Sequence, residues 1–230
     1  MLVFEFQCKI CFKKSLPYEK VSEAFAYFID SALGKQQEYL EFHESKDYKY
    51  YVFDLPHPCE KDKVYKMSKV YTVRIRTVKQ NLVEYFSKML SFHESDEIRC
   101  LGGELKIIPQ KVIESVFSLQ PAIIKNDFGY WREHMSLPEY ENRLKINLIK
   151  KYRQLTGDEL DEDFQLYELL EFKNKKPVKV YYKGICLLGD KLSFVTAKNE
   201  TAQKIWYMAI GTGVCENNSR GAGFINYRYL

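Results

Sequence analysis

The sequence contains no long hydrophobic run. None of its apolar stretches approaches the roughly 20 residues that a helix needs to cross a bilayer. Its first residues, MLVFEFQCKICFKK, have no basic leader ahead of the apolar stretch and no small-residue cleavage site, so they do not indicate a signal peptide. With 46% hydrophobic and 29% charged residues, the composition is that of a folded protein rather than a disordered one. We therefore expect a cytoplasmic protein with no membrane partner.

Metal-binding patterns are also scarce. The chain has six cysteines, of which only Cys8 and Cys11 form a CxxC pair. A zinc site normally adds a second pair or two suitably spaced histidines, and neither follows here. Asp, Glu and His form no cluster at metal-ligand spacing either. We expect reduced cysteines, as in cytosolic proteins, and neither a metal nor another cofactor.

A strong excess of charge of one sign is missing as well. The 35 Lys and Arg residues exceed the 31 Asp and Glu residues by only four, a net charge of +4. This mild excess is compatible with a nucleic-acid partner but does not require one. The 18 tyrosines offer stacking surfaces for bases, yet tyrosine fills protein cores equally well. Composition alone therefore leaves the partner open.

Hydrophobic periodicity divides the first half of the chain into strands and helices. Alternation from Leu2 to Phe12 predicts a half-buried strand whose polar face carries Glu5. The later patterns predict a helix from about Tyr18 to Ala32, a helical turn at 39–43, strands starting at Tyr48 and Lys69, a helix at 82–90, and a strand pair between Glu97 and Ile108. This order, β-α-β-β-α-β, is the split βαβ pattern.

The same order returns after Pro109, which favours a boundary there. The patterns predict a strand region from Ser115, a helix from about Pro138 to Leu155 with Ser136 as N-cap and Gly157 as stop, two or three strands in 166–198, a helix in TAQKIWYMAIG, and a final strand. We therefore predict an α+β fold of tandem ferredoxin-like domains. Their predicted bounds are residues 1–109 and 110–230.

Glycine is sparse overall but concentrated near the end of the chain. Four of the 11 glycines lie in GTGVCENNSRGAGF, residues 211–224, here called the glycine segment: Gly211, Gly213, Gly221 and Gly223. Glycine permits positive φ angles and close approach of a ligand, and successive amides in such a loop can bind an anion. The polar residues between the glycine pairs are suited to phosphate and sugar contacts: Asn217, Asn218, Ser219 and Arg220. No Gly-Lys-Ser/Thr follows, which excludes a Walker A loop, and the order helix, loop, strand excludes a dinucleotide fingerprint. An ordinary surface loop is the alternative.

A histidine, a lysine and a tyrosine in the first half have residue types suited to RNA cleavage. His43 precedes Lys49 by six residues and follows Tyr27 by sixteen. RNA is cut without a metal when its 2′-hydroxyl attacks the adjacent phosphorus, which needs a proton acceptor, a proton donor and a nearby cation. Histidine suits either proton-transfer role, lysine can stabilise the developing charge, and tyrosine can orient the phosphate. A chance grouping of surface residues is the alternative.

Taken together, these segments resemble the CRISPR-associated repeat-processing endoribonucleases, the sixth Cas family of the repeat-associated RNA-binding superfamily. The resemblance lies in YLEFHES around His43, in Lys49 followed by YYVFDL, in VFSLQPAIIKN, and in the glycine segment, which is similar to the family motif GxGxxNSxGFG. Two departures are visible. The glycine segment is longer in its first half and has an altered tail, and Tyr27 lies slightly out of register with the family's helix tyrosine, with Phe28 as the alternative.

The resemblance implies a metal-independent endoribonuclease that cuts precursor CRISPR RNA within its repeats. His43 would act as general base or general acid, Lys49 would stabilise charge on the scissile phosphate, and Tyr27 would orient it. The products would be a 2′,3′-cyclic phosphate and a 5′-hydroxyl. The glycine segment would hold the RNA backbone, and four lysines would either line its path or form a solvated face: Lys173, Lys175, Lys176 and Lys179.

Two other functions remain open from the sequence. One is a non-catalytic repeat-RNA-binding subunit of a CRISPR effector complex, whose partners would include other Cas subunits. The other is a ferredoxin-like pair that binds small molecules or proteins and has no RNA role. The remaining histidines are expected in structural or solvated positions: His57, His93 and His134. His93 is expected as a cation facing the dipole at a helix end.

Overall fold

The first half of the chain forms a four-stranded antiparallel sheet with helices. The computed structural model describes residues 1–182 and 184–230. In chain order the elements of the first half are β1 (Val3–Phe12), β2 (Leu16–Pro17), α1 (Tyr18–Leu33), α2 (Gln37–Glu44), β3 (Tyr51–Phe53), β4 (Val64–Tyr65), β5 (Val70–Thr77), α3 (Gln80–Leu90) and β6 (Ile98–Ile108). The sheet order is β3-β5-β1-β6, and β2 pairs with β4 beside it. This is the strand order of a ferredoxin-like fold.

The second half repeats that architecture with one insertion. Its elements are β7 (Ile113–Ser118), α4 (Leu137–Thr156), β8 (Tyr167–Phe172), β9 (Val178–Tyr182), β10 (Ile185–Gly189), β11 (Leu192–Thr196), α5 (Glu200–Thr212) and β12 (Ile225–Tyr229), with 3-10 turns at Trp131–Glu133 and Asn218–Arg220. The sheet order is β12-β7-β11-β8, while β9 and β10 pair only with each other. The predicted tandem ferredoxin-like fold is confirmed. The division into residues 1–109 and 110–230 remains our proposal.

Helix α4 shows how local sequence sets an element's ends. The Ser136 side chain accepts a hydrogen bond from the Glu139 backbone, and Glu139 accepts one from the Ser136 backbone, which is a capping box. At the other end Gly157 has a φ of 76°, in the left-handed region that favours glycine. The helix therefore begins and ends close to its predicted bounds. Among the helices of residues 1–182 and 184–230, none combines the length and apolar character that crossing a membrane requires.

The predicted strand pair between Glu97 and Ile108 is wrong, because one long strand, β6, covers this region. Gly102 and Gly103 lie at a bulge in this strand: Cys8 pairs with Gly103, whereas Ile10 pairs with Cys100. Gly102 has a φ of 115°, and a side chain at Gly103 would collide with the ring of Phe6. The glycines thus let β6 bend while remaining paired with β1.

The region predicted as two or three strands contains four. The runs 178–182 and 185–189 form a separate two-stranded ribbon, and β9 of this ribbon packs against α1 of the first half. Lys183, which falls within the predicted run, lies outside the described residues. Hydrophobic periodicity does not show where one strand ends and the next begins in a tight hairpin. It also does not show which strands pair with the main sheet and which form an insertion.

Each half has its own apolar core, and the two cores meet. The first is built between its sheet and α1 and α3, and the second includes Trp206 and the buried faces of α4 and α5. Val3 and Val78 of the first half pack into the second core. Glu5, predicted on a solvent-facing side, is instead buried and pairs with Arg76 at 2.6 Å. Arg76 also donates to the carbonyl of Ile225 at 2.7 Å, so the polar face of β1 lies against the second half.

Candidate active site

His43 lies in the last turn of α2, against α1. The loop between the two helices brings His43 Nδ1 within 3.3 Å of Asp30 Oδ1, with 25% and 19% of the two side chains exposed. Asp30 Oδ1 itself is buried, and no donor in residues 1–182 and 184–230 is aligned on it. The 3.3 Å approach is therefore a close contact rather than a straight hydrogen bond. Small rotations of the imidazole ring would align it.

Arg220 connects this pair to the second half of the chain. Its guanidinium donates to Asp30 Oδ2, and it lies 4.9 Å above the ring centre of Tyr182. Burial lowers the pKa of Arg220, but the charge and hydrogen bond of Asp30 together outweigh this and raise it. The glycine segment thus places a permanent positive charge next to a histidine from the first half.

Lys49 follows α2 and caps its C-terminal end. Its ammonium donates to the carbonyl of Phe42, to the Ser45 carbonyl at 2.7 Å and to Ser45 Oγ at 3.0 Å. These three bonds use all three ammonium protons. Partial burial lowers the pKa of Lys49, against the opposing effect of Asp47. Lys49 brings positive charge to the site, but a direct bond to a phosphate would require it to release an acceptor in α2.

A cleft of about 300 Å³, here called the central cleft, opens between the two halves beside these residues. Its cationic side chains come from both halves: Lys46, Lys49, Lys125, Lys151 and Arg220. Only two carboxylates, Asp47 and Glu216, join them in its lining. Asn217 also lines the cleft, and its Nδ2 is a buried donor without an acceptor among the described residues. This excess of positive charge and free donors suits a phosphate backbone.

Tyr27 does not line the central cleft. It is 58% exposed on α1, one turn before Asp30, and lines a neighbouring cleft together with Asp30 itself, Lys20 and Tyr182. The structure therefore brings His43, Lys49 and Arg220 to one location but leaves Tyr27 at its margin. Phe28, the alternative in register, is fully buried in the first core and cannot contact a substrate.

The four glycines differ from expectation, because all of them are buried. Gly211 lies within α5, where a Cβ would come within 2.9 Å of Val78 and 3.0 Å of Val3. Gly213, Gly221 and Gly223 have positive φ angles, and a side chain at Gly223 would collide with the Val214 carbonyl. The glycines thus shape the segment from within. Residues 217–220 are partly exposed, unlike the four glycines.

Lys151 of α4 holds the glycine segment from its buried side. The Lys151 ammonium donates to the carbonyls of Gly213 at 3.1 Å and Cys215 at 2.8 Å, and to Asn218 Oδ1 at 2.7 Å. Asn218 Nδ2 in turn donates to the carbonyl of Val214 at 2.9 Å. Asn218, predicted to contact RNA, therefore stabilises the segment itself. Burial lowers the pKa of Lys151 to about 8, although Glu216 nearby opposes this shift.

The second half of the chain matches a known protein family. Residues 118–227 match the family model described as CRISPR associated protein Cas6, C-terminal. The matched residues make up most of the second half of the chain. Together with the fold of the whole chain, this match confirms the CRISPR-associated identification made from the sequence.

Solved structures extend the Cas6 likeness over both halves. An RAMP protein binding different RNA substrates is 17% identical, with a TM-score of 0.73, over 98% of this chain and 99% of that chain. A Cas6-related protein from Pyrococcus furiosus is 16% identical, with a TM-score of 0.71, over 98% of each chain. A Cas6 product complex is 13% identical, with a TM-score of 0.63, over 99% of each chain. At such identities these structures show a shared fold. No curated protein sequence matches the chain.

Sequence reasoning missed two residues of this Cas6-type site. Lys151 had a readable signal, since it lies three residues after Leu148 and seven after Leu144, on the apolar stripe of α4. A lysine in such a stripe needs buried acceptors. Asp30 had no such signal, because its partner Arg220 is 190 residues away in the chain.

The other histidines lie outside the central cleft of this Cas6-type fold. His93 is only 3% exposed, its Nε2 lies 2.8 Å from Ser31 Oγ, and burial lowers its pKa. The expectation of a cation facing a helix dipole is therefore wrong, because a charged imidazole would be desolvated there. His57 lies 3.4 Å from Asp54, and His134 follows the short turn at Trp131–Glu133.

Proposed function

We propose that this protein binds the repeats of precursor CRISPR RNA and cuts them as a metal-independent endoribonuclease. The observation that carries the proposal is the convergence of His43, Asp30 and Arg220 beside a cationic cleft between the halves, which Arg220 and Lys49 help to line. The family match and the Cas6 product complex with the same fold support repeat RNA as the ligand. Other Cas effector subunits remain proposed partners.

The cleavage step uses a nucleophile that the substrate already carries. The 2′-oxygen attacks the adjacent phosphorus, and the bond from phosphorus to the 5′-oxygen of the next nucleotide breaks. One proton leaves the 2′-hydroxyl and one reaches the 5′-oxygen, so the products are a 2′,3′-cyclic phosphate and a 5′-hydroxyl. Because the attacking oxygen is held next to the phosphorus, the step gains from proximity.

The roles of the side chains follow from their chemistry. His43 takes the first proton or supplies the second, since a partly exposed imidazole is suited to either transfer. The charges of Arg220 and Lys49 stabilise the negative phosphorane-like transition state. Asn217, with its free donor, and Lys125 hold the backbone on the second-half side of the cleft. Tyr27 is proposed to orient the RNA from the margin of the site.

A second function has a specific observation in its favour. The Lys49 ammonium is occupied by α2, and Tyr27 lines a different cleft. These residues are not assembled for catalysis in the RNA-free protein, which is compatible with a non-catalytic repeat-RNA-binding subunit. By contrast, the Cas6 family match does not favour a protein without an RNA role.

A cleavage gel under single-turnover conditions separates these functions. We expect the protein to cut repeat RNA in excess EDTA, and a single 2′-deoxy substitution at the nucleotide upstream of the cut to abolish cleavage without weakening binding. Cutting of the deoxy substrate, or complete loss of activity in EDTA, would mean that water or a metal hydroxide attacks. Tight binding without any cutting would favour the binding subunit.

A further inference from the structure

We propose that Asp30 is a positioning residue for His43. Its Oδ1 accepts the Nδ1 proton of the imidazole and thereby leaves Nε2 as the nitrogen that exchanges a proton with the RNA. This inference rests on the proposed function for its consequence in catalysis. The histidine–aspartate pairing itself can be measured without RNA.

The geometry assigns the two oxygens of Asp30 different tasks. Oδ2 is held by the Arg220 guanidinium, which fixes the plane and direction of the carboxylate. Oδ1 then faces His43 Nδ1 at 3.3 Å, with no other aligned donor among the described residues. A carboxylate facing one imidazole nitrogen favours the tautomer that carries its proton there. Nε2 of the neutral ring is then left with its lone pair.

A purely structural role for Asp30 does not explain this arrangement. An anchor for Arg220 needs one carboxylate oxygen, and the other would be better placed in water, because a buried acceptor without a donor is unfavourable. That unfavourable position is relieved whenever His43 turns its Nδ1–H toward Oδ1. Catalytic hydrogen bonds are often poorly aligned until substrate binds, and the contact seen here fits that behaviour.

Other charged and titratable groups also face the pair. Arg220 comes from the glycine segment, Lys49 from the end of α2, Tyr51 from β3 and Tyr182 from β9. Asp30 is the carboxylate in contact with the imidazole, so its removal should be visible first in the tautomer of His43.

The test is an NMR titration of the histidine side chains in the full-length, RNA-free protein. The chain has four histidines, and the signal missing from a His43→Gln variant identifies His43. We expect the wild-type neutral ring to carry its proton on Nδ1. In Asp30→Asn the proton should move largely to Nε2. In Arg220→Gln, which leaves the Asp30 carboxylate in place, the proton should remain largely on Nδ1. An unchanged tautomer in Asp30→Asn would overturn the proposal.

Two histidines serve as internal controls. The signals of buried His93 and of His57, which has its own partner Asp54, should be the same in the wild type and in Asp30→Asn if the variant is folded. Should Asp30→Asn fail to fold, Asp30→Ser, which also removes the carboxylate charge, takes its place; an unchanged His43 tautomer in that variant would count against the proposal.

Cleavage provides the second readout. Asp30→Asn should slow single-turnover cutting at saturating RNA by about 10²-fold or more, with RNA affinity changed far less. Asp30→Glu should recover part of the rate. If the NMR shifts occur but neither wild type nor variant cuts RNA, the proposed nuclease function fails and the pairing stands. If wild type cuts RNA and Asp30→Asn cuts equally fast, the positioning role is refuted.

Discussion

Helix α2 and the glycine segment both contact Asp30, through His43 and Arg220, but they are supported in opposite ways. Helix α2 has no fully buried residue, and its histidine makes a contact that is close but not aligned. The glycine segment is mostly buried, with its carbonyls bound by Lys151 and Asn218. Few buried contacts mean low local stability. The histidine that we propose as catalytic therefore lies on an adjustable side of the site, whereas the segment that we propose to bind phosphate forms a side that is fixed in advance.

The largest effect is expected on the adjustable side. His43→Ala should slow repeat-RNA cleavage by roughly 10²–10⁴-fold, the usual contribution of a general acid or base. Binding should persist, because one imidazole supplies little of an affinity dominated by phosphate contacts. Single-turnover gels and filter binding measure the two quantities. His134→Ala, an exposed histidine in a loop of the second half, is the matched control. Wild-type cleavage by His43→Ala would remove it from the mechanism.

A packing change should have the next largest effect, on the fixed side. Gly223→Ala combines a positive φ of 68° with a collision between the new Cβ and the Val214 carbonyl. We expect a loss of about 3 kcal/mol in the free energy of unfolding from strain and overpacking together. Gly157→Ala, at a similar φ of 76° with open space around it, should lose only about 1 kcal/mol. Urea denaturation of both variants checks this, and equal losses would show that the glycine is required only for its backbone angle.

Removing the buried ammonium should loosen the glycine segment without a steric clash. Lys151→Met leaves the carbonyls of Gly213 and Cys215 without their donor, and we expect the free energy of unfolding to fall by about 2 kcal/mol at neutral pH. Lys150→Met, on the exposed side of the same helix, should be close to neutral. RNA binding should weaken in Lys151→Met alone, because the residues of the segment that line the central cleft are no longer held.

The difference in free energy of unfolding between wild type and Lys151→Met should depend on pH, and this dependence tests the burial of Lys151. A lysine in an unfolded chain keeps its proton to about pH 10.4, whereas burial lowers the pKa of Lys151 to about 8 in the folded protein. Between about pH 8 and 10 the unfolded state binds more protons, so wild type gains stability relative to Lys151→Met as the pH rises. The gain is lost as the pH falls through about 8. Urea denaturation at several pH values measures it, and a flat difference would place the pKa of Lys151 in the ordinary range.

The same contrast explains what could be read from the sequence. Local signals were sufficient for both ends of α4, because its cap, apolar stripe and stop glycine all lie within the helix or next to it. They were also sufficient to select His43 and Lys49. They failed where the deciding contact is distant: Asp30 meets Arg220 only in the folded chain, and burial of Glu5 depends on the second half. Glycine burial was missed because a glycine-rich run is typical of both exposed loops and close packing.

The smallest effect is expected at Lys49, which caps α2 and also lines the central cleft beside the glycine segment. Lys49→Met removes the donor that caps α2, so we expect a loss of about 1 kcal/mol in the free energy of unfolding. Lys46→Met, exposed in the same segment, should change it by less than about 0.5 kcal/mol. Cleavage should also slow in Lys49→Met, because a frayed helix end no longer holds His43 beside Asp30. Lys49→Arg, which keeps both charge and donors, should restore much of the stability and the rate. If Lys49→Met instead keeps full stability but loses cleavage, the cap is dispensable and the ammonium acts on the phosphate, as the sequence resemblance implied.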